Sequence, residues 1–361
     1  MQQFKKLLTH YFKLVILIFG FYFATMSIGF AANEGYYRLT QDPAVRQLVQ
    51  DLSMKYNFNR GYLYSLISQA HFDDRVINKM QLPYEKSAWL TYKKHFITPE
   101  RVYNGVLFWY KNRDVLKLAE SKYGIPADII VAILGIETKY GQEQGTYNAL
   151  NTLVTLAFYY PPKAKFFQKE LGAFIVLSHQ NHFNPFAIRS SYAGALGIPQ
   201  FMPSSYLDYG VGYPNLFKAN LFSNPKDAIL SVANFLMQKG WENDQPIAVS
   251  AKLVGKNYES LVKQDANKPI EPSLNLENFA EKGVYDNDAN DSRINPYWRA
   301  NLMKFAGEKP EYWLGFNNFY VLTQYNNSDL YAMTVFELGK VLQKEYRSYL
   351  DSQAKKVSLR G

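Results

Sequence analysis

Apolar and polar positions follow a helical period through most of the chain, and the most apolar of these stretches lies at residues 126–141 (PADIIVAILGIETKYG). Residues 129–136 leave no polar face, which predicts a helix surrounded by protein rather than one on the surface. Pro126 suits the first helical turn, and Gly141 suits the position at which a helix stops. We therefore expect a buried helix in the middle of the fold.

Helical patterns also lie on both sides of this central stretch. Apolar residues recur there at spacings of three and four, and the segments with this pattern are residues 42–121, 149–180, 224–241 and 329–349. Residues 247–253 differ, because apolar and polar positions alternate there as in a strand and polar turn residues follow. The pattern as a whole predicts a mainly α-helical protein with a small β-containing insertion.

One acidic residue, Glu137, interrupts the central helix near its end. It shares a face of the helix with Ile130 and Ile133, so we expect its carboxyl group to emerge from an apolar wall. Removal from water disfavours the ionised form and raises the pKa, which suits a general acid near neutral pH. A second interpretation stays open here, in which Glu137 is the first exposed residue after a buried helix and pairs with Lys139.

A serine- and glycine-rich stretch follows at residues 190–206 (SSYAGALGIPQFMPSSY). Its glycines and prolines are incompatible with one regular helix and predict a tight loop that leads into a short helix. Hydroxyl and amide groups that suit hydrogen bonds to a sugar come from Ser191, Tyr192, Gln200, Ser204, Ser205 and Tyr206. The same hydroxyls would serve a packed turn by bonding to neighbouring backbone, and the pattern does not separate the two interpretations.

The N-terminus has the pattern of an export signal over residues 1–31. Three lysines precede an apolar run at residues 14–23, and small residues suited to cleavage follow at positions 29 and 31. An uncleaved inner-membrane anchor is the alternative, because residues 14–31 are nearly long enough to span a bilayer. Cleavage would remove three lysines and no acid, which lowers the net charge from +9 to +6. A basic exported protein suits an anionic wall polymer or membrane surface, and nucleic acid is not expected as a partner.

The composition and motifs of the chain exclude several classes of catalytic and binding site. The 361-residue chain has no cysteine, which excludes disulfides, thiolate chemistry, cysteine-based zinc sites and lipid attachment to cysteine. Motifs of nucleotide-binding proteins and serine hydrolases are missing, and the pair His179 and His182 lacks a third metal ligand. Aromatic residues, at 16% of the chain, suit carbohydrate as well as nucleic acid. Glycosidic cleavage fits these features, but it ordinarily needs a second carboxylate, for which Asp208 is the best candidate.

Four ordered segments resemble the successive signatures of the membrane-bound lytic murein transglycosylase B family. They are residues 136–141 (IETKYG), 191–206, 231–235 (SVANF) and 312–326. The resemblance implies a lysozyme-like helical core, an additional helical domain and a small inserted β domain. We place the boundaries at 1–31 for the signal peptide, 32–110 with 327–361 for the helical domain, 111–245 for the catalytic core, 246–310 for the β domain and 311–326 for an aromatic and amide groove segment.

The reaction that this resemblance implies cleaves the β-1,4 bond from N-acetylmuramic acid to N-acetylglucosamine in peptidoglycan and leaves a 1,6-anhydromuramyl end. Glu137 would first protonate the glycosidic oxygen and then, as a carboxylate, take the proton of the attacking muramyl 6-hydroxyl. One acid serves both steps because the substrate supplies the nucleophile. The substrate-binding residues expected beside it are Ser191, Gln200, Tyr92, Tyr192, Phe235, Asn318 and Tyr320.

No cofactor is expected, and the expected partners are peptidoglycan glycan strands and wall-synthesis proteins in the periplasm. Many family members carry a calcium loop, whereas residues 208–222 (DYGVGYPNLFKANLF) contain one acid. A hard cation takes several oxygen ligands, so we expect no metal site. Two other functions stay open, namely a non-catalytic wall-binding protein and a hydrolysing muramidase that uses Glu137 and Asp208.

Overall fold

This computed structural model of the protein describes residues 41–81, 89–215, 218–263, 265, 268–287, 295–307 and 309–358. The export signal predicted at residues 1–31 lies outside these ranges. Within them, no helix combines the length and the apolar character that crossing a membrane requires.

The described chain is mainly α-helical with a small β sheet, which confirms the predicted fold class. Its helices are α1 (Pro43–Tyr56), α2 (Arg60–Ser68), α3 (Asp74–Gln81), α4 (Trp89–Phe96), α5 (Pro99–Tyr123), α6 (Ala127–Thr138), α7 (Ala149–Tyr159), α8 (Ala164–Gln180), α9 (Pro203–Tyr209), α10 (Pro225–Gln238), α11 (Leu276–Glu281), α12 (Asn317–Thr323) and α13 (Asp329–Ser358). Its strands are β1 (Tyr147–Asn148), β2 (Arg189–Ser190), β3 (Ala248–Leu253), β4 (Leu274–Asn275), β5 (Val284–Asp286), β6 (Arg299–Phe305) and β7 (Glu311–Gly315).

Packing divides the chain into two compact units, of which the first contains residues 41–78 and 148–188 and the second contains the rest of the described chain. In the first unit α1 packs against α8, and the side chains of Leu48 and Leu52 lie over Gly172. This grouping differs from the predicted boundaries, because helices far apart in the chain pack together. The hydrophobic period records only that each helix has an apolar face.

The predicted central helix is α6, which lies in the second unit against α5, α10 and α13. Nearly every side chain at residues 127–136 is buried, as the lack of a polar face predicted. The helix ends at Thr138 because Lys139 and Tyr140 have positive φ angles of 48° and 65°. The Tyr140 hydroxyl donates to the carbonyl oxygen of Arg101 at 2.8 Å, which helps to hold this conformation.

The β insertion is one sheet of five antiparallel strands in the order β4-β6-β7-β3-β5. Its longest pairing joins β6 to β7, with Leu302 opposite Leu314. The sheet and α11 enclose a small core of buried residues, namely Phe279, Val284, Ala300, Leu302, Leu314 and Phe316. From β7 the chain passes directly into α12, which returns it to the helical part of the second unit.

A buried ion pair joins the β insertion to the start of α13. Lys263 Nζ lies 2.6 Å and 2.8 Å from the two carboxylate oxygens of Asp329, and the side chains are only 6% and 5% exposed. Burial raises the pKa of Asp329 to about 6, and Lys263 opposes part of this rise. Each charge compensates the other away from water, so the loss of one leaves an unpaired buried charge.

We expect Lys263→Met to lower the free energy of unfolding at neutral pH by about 3–5 kcal/mol, because Asp329 then stays buried without its partner. The matched control is Lys139→Met, which removes the exposed ion pair with Glu143 and should cost about 0–1 kcal/mol. Urea denaturation of both variants and the wild type measures the two losses. Equal losses would contradict a larger contribution from the buried pair.

Candidate active site

Glu137 lies in the last turn of α6 and keeps part of its side chain exposed, although the helix before it is buried. Its Oε1 atom accepts a hydrogen bond of 2.7 Å from the hydroxyl group of Tyr331 in α13. Lys139, the partner in the alternative interpretation, pairs at 2.6 Å with Glu143 instead. The carboxyl group therefore meets a neutral donor rather than a cation.

Burial raises the pKa of Glu137 from its ordinary value of 4.5 to about 7, and the hydrogen bond from Tyr331 opposes part of this rise. Among the residues that the structure describes, no second carboxylate contributes to this pKa. Asp208, the candidate second acid, is exposed on α9. At neutral pH both forms of Glu137 are therefore present in comparable amounts, which suits a group that gives a proton and later takes one back.

Tyr331 is itself part of an aromatic pair. Its side chain is 1% exposed, and its ring stacks on that of Tyr325 with centroids 6.1 Å apart and planes inclined by 11°. The Tyr325 hydroxyl donates to the carbonyl oxygen of Pro199 at 2.6 Å. Burial raises the pKa of both tyrosines well above the ordinary value of 10. Both hydroxyls therefore stay protonated and act as hydrogen-bond donors.

Ser191 closes the first of two turns in the stretch at residues 190–201. Its hydroxyl oxygen accepts from the backbone N–H groups of Ala193 (3.2 Å) and Ala195 (3.1 Å). The hydroxyl thus serves the turn through its oxygen, as the packed-turn interpretation expected, while its own hydrogen is left to donate. Tyr192, the next residue, is partly exposed.

Gln200 lies in the second turn, which two backbone hydrogen bonds between Leu196 and Phe201 close at 2.8 and 3.1 Å. Its backbone has a positive φ of 50°. Its amide nitrogen donates to the carbonyl oxygens of Gly197 (2.8 Å) and Gln144 (3.2 Å). Both amide hydrogens are used within the protein, so the amide oxygen is the atom left to accept from a ligand.

This second turn is attached to the end of α6. Thr138, the residue after Glu137, donates from its hydroxyl to the carbonyl oxygen of Ile198 at 2.7 Å. The bond from Tyr325 to Pro199 holds the same turn at the next carbonyl group. The carboxyl group and the turn are therefore connected by two short series of hydrogen bonds and ring contacts.

Two of the predicted groove aromatics pack around the same tyrosines. Phe235 in α10 contacts the ring of Tyr325, with centroids 5.0 Å apart. Tyr92 in α4 is close enough to Tyr331 to raise its pKa further. Both side chains are buried, so they lie in the surroundings of Glu137 as packed rings with little surface of their own.

Asn318 and Tyr320 are placed differently. The Asn318 side chain has no exposed surface, and its amide bonds to backbone groups of Glu242 and Gln245 at 2.7 to 2.9 Å. It is engaged in holding a loop and has no surface with which to contact a sugar. Tyr320 lines a small pocket together with Lys263 and Asp329.

Sequence patterns do not point to Tyr331, Tyr325 or Thr138. Tyr331 is 194 residues from Glu137, and no spacing rule links two helices at that separation. Tyr325 belongs to the aromatic and amide segment at residues 312–326. The composition of that segment indicates a functional region but does not single out Tyr325 within it. Thr138 follows Glu137 directly, and a hydroxyl at the end of an apolar helix was the one available signal.

The chain is similar to proteins of known class. A profile of the family described as Transglycosylase SLT domain matches residues 40–340. Membrane-bound lytic murein transglycosylase B of Escherichia coli is 35% identical over 312 residues, which cover 83% of each chain. Catenated lytic transglycosylase SltB1 of Pseudomonas aeruginosa has a TM-score of 0.78 and 36% identity, with 84% of this chain and 98% of that chain covered. The E. coli lytic transglycosylase Slt35 in complex with calcium has a TM-score of 0.74 and 34% identity, with coverage of 85% and 94%.

We expect Tyr331→Phe to raise the pKa of Glu137 above its value of about 7, because the lost hydrogen bond stabilises the ionised carboxylate. Carbon NMR of the glutamate carboxyl groups during a pH titration measures the shift. Tyr206→Phe is the control, since it removes another buried hydroxyl, bonded to Ala219 and Leu221, and should leave Glu137 unchanged. An unchanged or lower pKa in Tyr331→Phe would contradict this role.

Glu137 should also lower the stability of the fold as the pH rises. Its folded-state pKa of about 7 lies above its ordinary value of 4.5, so the folded protein binds the proton more tightly and loses stability between these two pH values. Glu137→Gln cannot ionise, and it should gain about 1–3 kcal/mol relative to the wild type on going from about pH 4 to about pH 8. Urea denaturation at both pH values measures the gain, and a constant difference would refute the raised pKa.

Proposed function

This chain belongs to the SLT-domain transglycosylases and is a lytic transglycosylase that acts on peptidoglycan, and we propose that Glu137 carries out both proton transfers of its reaction. The observation behind this proposal is a carboxyl group whose pKa is about 7. No other carboxylate among the described residues contributes to that pKa. Such a site fits a reaction in which the substrate provides its own nucleophile.

In the first step, protonated Glu137 donates its proton to the oxygen between N-acetylmuramic acid and N-acetylglucosamine, and the bond from that oxygen to muramyl C1 breaks. The Tyr331 hydroxyl occupies Oε1, so Oε2 is the oxygen left to carry the proton. Positive charge develops at C1 and at the ring oxygen of the sugar. The newly formed carboxylate lies in apolar surroundings, where it stabilises that charge more strongly than it would in water.

In the second step, the 6-hydroxyl of the same muramyl residue attacks C1 and closes the 1,6-anhydro ring. Glu137 takes the proton of that hydroxyl and returns to its starting form, so no water is consumed. The hydrogen bond from Tyr331 stabilises the carboxylate between the two steps. Attack within one molecule has a high effective concentration, which favours the 6-hydroxyl over water.

We assign contacts with an acetamido group of the substrate to Ser191 and Gln200. The Ser191 hydroxyl has a hydrogen to donate, and the Gln200 amide oxygen can accept. Together they match the carbonyl oxygen and the N–H of an acetamido group. Hydrogen bonds within their own turns hold both side chains, so little conformational freedom is lost when the sugar binds.

The other predicted groove residues receive different support. Tyr192 is partly exposed, and we assign it a wall of the groove next to Ser191. Tyr92 and Phe235 are buried, and we assign them to supporting the tyrosines around Glu137. Tyr320 remains a prediction from the family resemblance, without a described contact to this site, whereas we assign the fully buried Asn318 to holding the backbone of Glu242 and Gln245.

We further propose that residues 1–31 direct export and that the mature protein works in the periplasm, released or held at the inner membrane. The net charge of +6 that remains after cleavage would favour approach to anionic wall polymers. Peptidoglycan glycan strands are the substrate, and wall-synthesis proteins are the further partners that we propose.

We expect Glu137→Gln to lower the release of anhydromuramyl products from purified peptidoglycan by about 10²–10⁴-fold, because an amide neither gives nor takes the proton. Asp208→Asn is the control for a carboxyl group in the same unit and should retain the wild-type rate. Mass spectrometry of the soluble fragments measures both rates and identifies the chain ends.

The identity of the products separates the remaining functions. Reducing muramyl ends that disappear in Asp208→Asn would favour a hydrolysing muramidase and count against the single-acid mechanism. Binding to sacculi without soluble fragments from the wild type would favour a non-catalytic wall-binding protein.

A further inference from the structure

Residues 208–222 stand where the family resemblance implies a calcium loop. Slt35 is known in complex with calcium, whereas this stretch contains one acid, Asp208, which is exposed on α9. In the part of the chain that the structure describes, no three His, Asp or Glu side chains are grouped so as to hold a metal ion. The residues present therefore do not fit a calcium site.

A buried carboxylate just after this stretch fastens it instead. Asp227, in the first turn of α10, is 3% exposed. Its Oδ1 accepts from the backbone N–H of Tyr213 (2.9 Å) and from the side-chain amide of Asn224 (2.6 Å), and its Oδ2 accepts from the backbone N–H of Asn220 (2.7 Å). N–H donors thus compensate the charge, and both oxygens are engaged without a cation.

Two further side chains hold the backbone of the same segment, whose described residues, 211–215 and 218–224, we call the 211–224 loop. Ser231 Oγ accepts from the N–H of Val211 at 2.8 Å. The Tyr206 hydroxyl donates to the carbonyl oxygen of Ala219 (2.7 Å) and accepts from the N–H of Leu221 (2.9 Å). Side chains from α9 and α10 therefore provide the hydrogen bonds at both ends of the loop.

The end of the 211–224 loop lies against the turn that carries Gln200. The N–H of Ile198 donates to the carbonyl oxygen of Leu221 at 2.8 Å. The Gln144 side chain donates to the carbonyl oxygen of Phe222 at 3.0 Å, and its backbone carbonyl accepts from Gln200 at 3.2 Å. A displacement of this loop would therefore displace the turn.

We propose that the hydrogen bonds to Asp227 hold the 211–224 loop in this chain, a role that a bound cation would otherwise have. The loop is then fixed without a metal, and it in turn fixes the position of Gln200. Asp227 is then a positioning residue, because it acts on the substrate only through the loop and the turn. Its effect on the reaction rests on the sugar contact proposed for Gln200, whereas the metal-free fastening of the loop does not.

Thermal unfolding of the wild type tests the first half of this inference. The melting temperature should be the same after treatment with EDTA and in excess calcium chloride. A rise with calcium, or a fall with EDTA that calcium reverses, would overturn the proposal. This measurement needs no variant and no activity.

Asp227→Asn tests the role of the carboxylate, since the amide keeps the shape but turns one acceptor into a donor that faces N–H groups. We expect its melting temperature to fall by at least about 4 °C. Asp208→Asn, the exposed acid of the same stretch, should melt like the wild type. Equal melting of the two variants would overturn the role of Asp227.

Kinetics on soluble glycan fragments test the second half. Asp227→Asn should raise KM at least about fivefold, while the pH dependence set by Glu137 keeps its wild-type form. If this variant does not fold, Asn224→Ala removes one of the three donors and should show smaller changes in melting temperature and KM. An unchanged KM in a destabilised variant would refute the link to Gln200. Activity that survives in Glu137→Gln would refute the proposed mechanism but leave the melting results standing.

Discussion

The active site is arranged around one carboxyl group at the end of a buried helix. Glu137 loses hydration there, and its ionised form needs a substitute for the lost water. The Tyr331 hydroxyl supplies one hydrogen bond and no charge, so burial outweighs it and the pKa is about 7. A cation in the same place would have returned the pKa to the usual range of an acid. The nearest lysine in the chain, Lys139, is paired with Glu143 instead.

Several elements cooperate to keep that hydroxyl in place. Tyr331 lies in the first turn of α13, whose first residue, Asp329, is held by Lys263 of the β insertion. The ring of Tyr331 stacks on Tyr325, which reaches the carbonyl oxygen of Pro199. The β insertion and the turn that carries Gln200 therefore act on the same tyrosine from two directions along the chain. A shift in either would change the distance from the hydroxyl to the carboxyl group.

Asp227 and Glu137, two carboxylates of the second unit, have different roles because their hydrogen-bond partners differ. Asp227 is buried among three N–H donors and serves as a fixed anchor for a loop. Glu137 has one neutral donor and keeps part of its surface exposed, so it can exchange a proton. Above its ordinary pKa of 4.5, Glu137 lowers the stability of the fold, and such a loss of stability is common at active sites. The number and kind of hydrogen-bond donors around each carboxylate therefore decide whether it stabilises a loop or exchanges a proton.

Spacing along the chain was enough to predict the helical class, the buried helix α6 and the place of Glu137 on an apolar face of that helix, because these depend on neighbours within a turn or two of one helix. The partner of each polar side chain, by contrast, depends on how distant helices pack together. That packing paired Glu137 with Tyr331, 194 residues away, and it grouped the helices into two units that no periodicity marks. It also buried Asn318 against a backbone loop, although its segment has the composition of a groove. An amide or a carboxylate looks the same in the sequence whether its side chain faces a substrate or another part of the protein. The packing of distant helices decides between the two.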